Sequence, residues 1–147
     1  MLLDGTAWFL VADGRRARLY LEPRRGAELR DLWSEEIGRA DLYDPQDRPP
    51  RSFDRVGAGR HAMDKGRSLH EQEEANFLKR IAERIAQAEK QREFDHLVIT
   101  APPRALGILR DLLPDGVKAR IRAEAAKDLV DETPAQLRER LTELLRG

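Results

Sequence analysis

The N-terminal third of the chain consists of short apolar runs separated by turn residues. Residues 7–12 form a continuous apolar run, which is typical of a strand buried on both faces. Asp13 and Gly14 follow, and an Asp-Gly pair between two apolar runs indicates a β-hairpin. Residues 17–22 then alternate between apolar and polar positions, and residues 28–33 do so imperfectly. The pattern therefore predicts a three-stranded antiparallel meander.

After residue 68 the pattern changes to helices that alternate with short strands. Ser68 and Glu71 match the capping box, in which each side chain bonds an N–H group that a helix start leaves unpaired. Thr133 and Gln136 match a second capping box, with Pro134 at the first helical position. In order, the pattern predicts a helix at 69–91, a strand at 94–101, a helix at 104–113, a strand at 117–123 and a last helix after the second capping box.

These elements fit a single domain over residues 1–147. A meander followed by alternating helices and strands predicts an α/β fold with one mixed five-stranded sheet and helices packed on it. The element order is β-β-β, long loop, α-β-α-β-α. This is the order found in ribonuclease-H-like domains.

A long segment without helix or strand periodicity separates the two halves. Residues 38–67 contain three prolines and four glycines, and most connections in compact domains are only about 4–6 residues long. The second part of this segment is basic, with Arg48, Arg51, Arg55, Arg60, Lys65 and Arg67 against Asp54 and Asp64. Connections of this length are usually functional or disordered, so the segment is the first candidate for a binding site.

Composition restricts the classes of function. The 27 basic and 27 acidic side chains give a formal net charge of zero, so any nucleic-acid site must be a local basic patch. Aromatic residues make up 5% of the chain, which argues against a broad platform for stacking bases. The absence of cysteine excludes disulfides and thiolate metal sites. With no basic n-region at the N-terminus and no long apolar run, we expect a cytoplasmic protein without membrane contact.

Metal-dependent nuclease chemistry is one alternative that the element order invites. Two-metal phosphoryl transfer needs several carboxylates that converge on metals about 3.5–4 Å apart. Asp13 follows the first strand but is better explained by the turn, while Glu73 or Glu74 on the first helix could serve. The fourth strand ends Ile-Thr-Ala-Pro at 99–102, without an acid, so the set is incomplete. We predict no catalytic residue and keep metal-dependent phosphoester hydrolysis as an alternative.

Metal and nucleotide motifs are missing from the sequence. The three histidines form no H-E-x-x-H. His70 and Glu74 are four apart and could share a helix face, but a local His–Glu pair or a capping contact is favoured over a metal site. Gly57-Ala58-Gly59 lacks the third glycine of G-x-G-x-x-G, and no P-loop motif is present. We therefore predict no metal and no cofactor.

The basic part of the long loop is the best candidate for a site. Cationic side chains before a helix N-terminus suit a phosphate or an RNA backbone, with Arg60 and His61 at the tip. The predicted binding residues are Arg55, Gly57, Gly59, Arg60, His61, Lys65, Arg67 and His70. The alternative that stays open is a solvated loop whose arginines balance Asp41, Asp44 and Asp47.

Several segments also carry a likeness to a known family. They are WFLVADGRRARLY at 8–20, RSFDRVGAGRHAM at 51–63, HEQEEANFLKRIAERI at 70–85, FDHLVITAPPRALGILR at 94–110 and KDL at 127–129. Together they resemble the bacterial host attachment protein family over nearly the whole chain. That family is named as proteins required for attachment to host cells, so the resemblance implies a role in adhesion.

The element order further resembles the central domain of archaeal and eukaryotic peptide-release factors and their bacterial relatives. In that domain a long loop before the first helix carries Gly-Gly-Gln to the ribosomal peptidyl-transfer centre. Residues 57–61 of this chain, Gly-Ala-Gly-Arg-His, lack that motif. We predict a non-catalytic RNA- or ribosome-associated module that uses residues 48–67. The alternatives are a factor inside or on the cell that promotes adhesion, and the hydrolase above.

Overall fold

The computed structural model describes residues 4–37 and 59–146 and contains five strands and four helices in that part. The strands are β1 (Ala7–Ala12), β2 (Arg16–Glu22), β3 (Arg30–Glu36), β4 (His96–Thr100) and β5 (Ile121–Ala125). The helices are α1 (Gly59–Lys90), α2 (Pro103–Leu112), α3 (Asp115–Lys118) and α4 (Pro134–Arg146).

All five strands form one mixed sheet in the order β3-β2-β1-β4-β5. β1 pairs antiparallel with β2 and parallel with β4, so that Leu10 lies opposite both Leu19 and Ile99. β3 completes the antiparallel meander and β5 adds a second parallel pair at the other edge. The predicted α/β class, the single mixed sheet and the ribonuclease-H-like order are confirmed.

Two apolar layers sandwich the sheet, and β1 contributes to both. Trp8 and Leu10 face the layer formed with α1 and α2, where the Trp8 ring stacks on Phe94 at 4.7 Å. Phe9 and Val11 face the smaller layer formed with α4. Every residue of β1 is buried, which confirms the prediction from its continuous apolar run.

The turn between β1 and β2 follows the predicted Asp-Gly signal. Asp13 Oδ1 accepts hydrogen bonds from the backbone N–H groups of Arg15 and Arg16 at 2.9 and 2.8 Å. Gly14 has a φ of +96°, a conformation that residues with a Cβ rarely adopt. The carboxylate of Asp13 therefore serves the turn, as the sequence indicates.

The start of α1 corrects the predicted boundary. α1 begins at Gly59, ten residues before the predicted start at 69, so Ser68 and Glu71 lie inside the helix and form no capping box at its start. Residues 60–67 include Arg, Ala, Met and Lys, which have high helix propensity. Among them only Gly66 strongly disfavours a helix. The predicted loop 38–67 is therefore helical from 59 onward, and its residues 38–58 lie outside the described part.

Two strand boundaries also differ from the prediction. The strand predicted at 117–123 is found at Ile121–Ala125, because Pro114 precedes a single helical turn that buries Val117. The strand predicted at 28–33 is found at Arg30–Glu36. A four-residue helical turn is too short to show a period of its own, so its apolar residue was read as part of the strand.

The last helix begins as predicted. The backbone N–H of Thr133 donates to Gln136 Oε1 at 2.9 Å, and the N–H of Gln136 donates to Thr133 Oγ1 at 3.2 Å. Pro134 is the first residue of α4. This reciprocal pair is the capping box, and it fixes where the chain turns to cover the smaller apolar layer.

Candidate nucleic-acid interface

Helix α1 packs on the sheet through its C-terminal half. Its buried residues are Phe77, Leu78, Ile81, Ala82, Ile85 and Ala88. They recur at the three- and four-residue spacing of one helix face, which lies on the larger apolar layer. The helix is therefore anchored from Phe77 onward.

Residues 69–73 of α1, which come shortly before this anchor, are all exposed. The side chain of Leu69 is 58% accessible to solvent. At about 1.5 Å per residue, Gly59 lies about 27 Å from Phe77 along the helix axis. We refer to residues 59–73 as the arm.

The arm contains six of the eight predicted binding residues. Its first part holds Gly59, Arg60, His61, Lys65 and Arg67, and His70 lies nearer the sheet. Arg55 and Gly57 lie outside the described residues. The six belong to one continuous helix instead of the predicted glycine-rich loop. Helical spacing places Arg60 and Arg67, two turns apart, on the same side of the arm, whereas a loop would not fix their relation.

The predicted local His–Glu pair of His70 is found, and its partner is Glu73. The Nδ1 atom of His70 lies 3.6 Å from Glu73 Oε1. The His70 side chain is 73% exposed. The local His–Glu interaction is a surface contact between neighbouring turns, which is worth little to stability.

The base of the arm lies near the C-terminal ends of the parallel strands β1 and β4. The carboxylate of Glu74 lies beside Gly14, and Glu71 is 3.6 Å from the guanidinium of Arg104 at the start of α2. A cavity of about 180 Å³ opens here. Its lining residues are Asp13, Gly14, Glu74, Leu78, Pro102, Arg104, Ala105 and Ile108.

This end of the sheet holds two of the carboxylates that the nuclease alternative requires. Asp13 and Glu74 both line the cavity, but Asp13 is engaged by the turn and by the guanidinium of Arg16 at 3.2 Å. The end of β4 contributes Thr100 and the following Ala101, with no acid. Within residues 4–37 and 59–146, no group of three or more His, Asp or Glu side chains is placed to hold a metal ion. The described carboxylates therefore do not assemble a two-metal centre.

A second polar cluster was not predicted from the sequence. Arg16 donates to Asp131 at 2.7 Å, and this bond raises the pKa of Arg16 and lowers the pKa of the Asp131 carboxyl. Arg18 donates to the carbonyl oxygen of Val130 at 3.1 Å. A cavity of about 260 Å³ lies beside these contacts. The partners are more than 100 residues apart in the chain, and no local pattern signals such pairs.

Comparison with known proteins decides the family. The family model described as "Protein required for attachment to host cells" matches residues 8–141. The chain belongs to this family. The match confirms the family resemblance drawn from the sequence. No curated protein matches the chain.

The match to the host-attachment family runs from β1 into α4 and includes the whole arm. The arm and the sheet edge at its base are thus part of the region that the family model describes. In the described part of this host-attachment protein, no helix is long and apolar enough to cross a membrane.

Proposed function

We propose that this host-attachment family member is a non-catalytic module that binds RNA phosphates, as on the ribosome, through its arm. The observation that carries the proposal is the exposure of residues 69–73 on a helix that continues to Gly59. Arg60, Lys65 and Arg67 precede Phe77, where the helix begins to pack on the larger apolar layer, by ten residues or more. This separation along the helix supports an approach by a large anionic partner.

Charge supports a small, local contact. Arg60, Lys65 and Arg67 stand against one acid, Asp64, in the first part of the arm. The chain as a whole is neutral, so attraction to a phosphate backbone needs a local group of cations such as this one. Glu71, Glu73 and Glu74 follow at the base and repel the same backbone. Within the arm, the proposed contact is therefore limited to its first ten residues.

Co-sedimentation with purified ribosomes tests this proposal. Three phosphate contacts predict a slope of about −2 when the logarithm of affinity is plotted against the logarithm of salt concentration. The double variant Arg60→Ala/Arg67→Ala should bind about tenfold more weakly at low salt and reduce the slope to about −0.7. The matched control is Arg24→Ala/Arg30→Ala, which removes two exposed arginines at the turn between β2 and β3. This variant should bind like the wild type.

Two results would contradict the proposal. One is no co-sedimentation of the wild-type protein at low salt. The other is equal loss of binding in the arm variant and the control variant, because that loss reflects total charge and not a site on the arm.

The family description favours a second candidate function, which is promotion of attachment to host cells. We propose that the protein acts from the cytoplasm in this role. Deleting the gene in the parent bacterium should lower attachment. The wild-type gene should restore attachment, whereas the Arg60→Ala/Arg67→Ala variant should not.

Protease treatment of intact cells tests the location. It should leave the protein undigested, and digestion would place the protein on the surface.

A further inference from the structure

The cavity of about 260 Å³ beside Arg16 lies on the side of the sheet that α4 covers, and the proposed RNA contact does not use it. In the register of β2 and β3, Arg16 lies opposite Glu36 and Arg18 lies opposite Ser34, so the four side chains share one face of the sheet. Asp131, in the segment before α4, lines the cavity from the other side. We refer to this cavity as the β2–β3 cleft.

Arg16 is neutralised within the β2–β3 cleft. Its guanidinium donates to Asp131 at 2.7 Å and to Asp13 at 3.2 Å. Asp13 also accepts the backbone bonds of the turn, and Asp131 has Arg16 as its cation. These groups satisfy one another, so none of them is left to bind an ionic ligand.

Arg18 is held in place and still has donors to spare. One of its N–H groups donates to the carbonyl oxygen of Val130 at 3.1 Å, and its guanidinium carbon lies 5.7 Å from the centre of the Tyr20 ring. Among the side chains described, those of residues 4–37 and 69–145, no carboxylate forms an ion pair with Arg18. A guanidinium has five N–H donors and can bind a carboxylate through two parallel bonds. Arg18 is therefore an oriented cation on the wall of the cleft.

Glu36 adds the opposite charge to the same cleft. It is exposed, and no cation in those described ranges pairs with it. Glu36 lies two residues beyond Ser34, the cross-strand neighbour of Arg18, and Cα atoms in such diagonal positions are about 7–8 Å apart. Glu36 repels a simple anion that approaches Arg18, whereas a ligand that also carries a positive charge is attracted by both residues.

We propose that the β2–β3 cleft binds a small zwitterion with one carboxylate and one ammonium group, as in a free amino acid. The carboxylate pairs with Arg18, the ammonium group pairs with Glu36, and the hydroxyl group of Ser34 lies between them as a further hydrogen-bonding partner. The cleft is smaller than the about 300–1,000 Å³ of sites for drug-sized ligands, so the ligand is small. The inference goes beyond the proposed RNA contact and does not require it, since no residue of the arm lines the cleft.

Titration with the standard free amino acids, followed through the amide signals of the protein by NMR, tests the proposal. At millimolar concentrations at least one amino acid should shift the amide signals of Arg18, Ser34 and Asp131 in a saturable way. Its N-acetyl derivative lacks the cation and its methyl ester lacks the carboxylate, so each should bind about tenfold more weakly than the parent. The proposal is overturned if no amino acid gives saturable shifts at these residues, or if either derivative binds as well as the parent.

Two variants of the cleft identify the charges that bind. Arg18→Met should weaken binding of the amino acid about tenfold or more. Glu36→Lys should weaken it as well and should strengthen binding of the N-acetyl derivative, because the reversed charge attracts an anion. Glu36 is exposed, so this second variant should keep the fold even if Arg18→Met does not.

The matched control is Arg122→Met, which removes an exposed arginine from β5 at the far edge of the sheet. This variant should bind the amino acid like the wild type. Equal loss in Arg122→Met and Arg18→Met contradicts the proposal, as does a Glu36→Lys variant whose preference between the amino acid and its N-acetyl derivative is unchanged. No RNA is present in these measurements, so their outcome is independent of the ribosome experiment.

Discussion

Replacing Arg138 with methionine is expected to lower the free energy of unfolding by about 3 kcal/mol, because it leaves a buried carboxylate without its cation. Glu22 at the end of β2 is 3% exposed and forms an ion pair with Arg138 of α4. Arg138 also donates to the carbonyl oxygen of Ala27 at 2.9 Å. Urea unfolding of the wild type and Arg138→Met measures the difference.

Two further variants distinguish the loss of an ion pair from the cost of leaving a buried carboxylate without a cation. Glu22→Leu/Arg138→Met replaces the buried pair with apolar groups of similar size, and we expect most of the lost stability to return. Arg110→Met breaks the more exposed pair with Glu124 and should lower the free energy of unfolding much less than Arg138→Met does. If Arg138→Met costs no more than Arg110→Met, the Glu22 contact does not hold α4 to the sheet.

Truncating Phe77 is expected to cost about 3–5 kcal/mol, because Phe77→Ala leaves a large cavity in the layer between α1 and the sheet. Phe77 is completely buried and is the first anchored residue of the helix. The guanidinium of Arg80 lies 5.3 Å from the centre of its ring and loses that contact as well. Chemical unfolding followed by circular dichroism gives the difference from the wild type.

Leu69 provides the matched substitution on the same helix. Leu69→Ala should change the free energy of unfolding by less than about 0.5 kcal/mol, since this side chain is mostly exposed and alanine is a good helix former. The contrast with Phe77→Ala locates the boundary between the arm and the anchored part of α1. A loss of 2 kcal/mol or more at Leu69 would show that the arm packs on the rest of the protein.

The parts of the fold that could be predicted depend on local signals. The apolar run of β1, the Asp13-Gly14 turn and the Thr133–Gln136 capping box each act within a few residues, and each is found as predicted. The sheet order follows from the sequence of elements, because short connections leave few ways to arrange them. The predicted start of α1 was wrong, because the sequence at Ser68 matches a capping motif although the helix begins earlier, at Gly59.

The residues of the candidate site stay a prediction, and the structure changes the form of the segment that carries them from a loop to a helix. Basic residues before a helix signal a phosphate contact, and Arg60, Lys65 and Arg67 were identified on that ground. Their placement on a helix depends on whether Gly59 and Gly66 interrupt the helix. The helix includes both glycines, because the neighbouring residues have high helix propensity. Contacts such as Arg16 with Asp131 arise only once the sheet and α4 have assembled, so no spacing in the sequence reveals them.

Amide hydrogen exchange along α1, with and without purified ribosomes, tests the central claim most directly. In the protein alone, amides of the arm should exchange faster than those between Phe77 and Ala88, because the latter open only with the packed core. Ribosomes should slow exchange in the arm and leave the sheet unchanged. Ribosome-induced protection on the sheet with none in the arm would contradict the account, as would an arm as protected as the core in the protein alone.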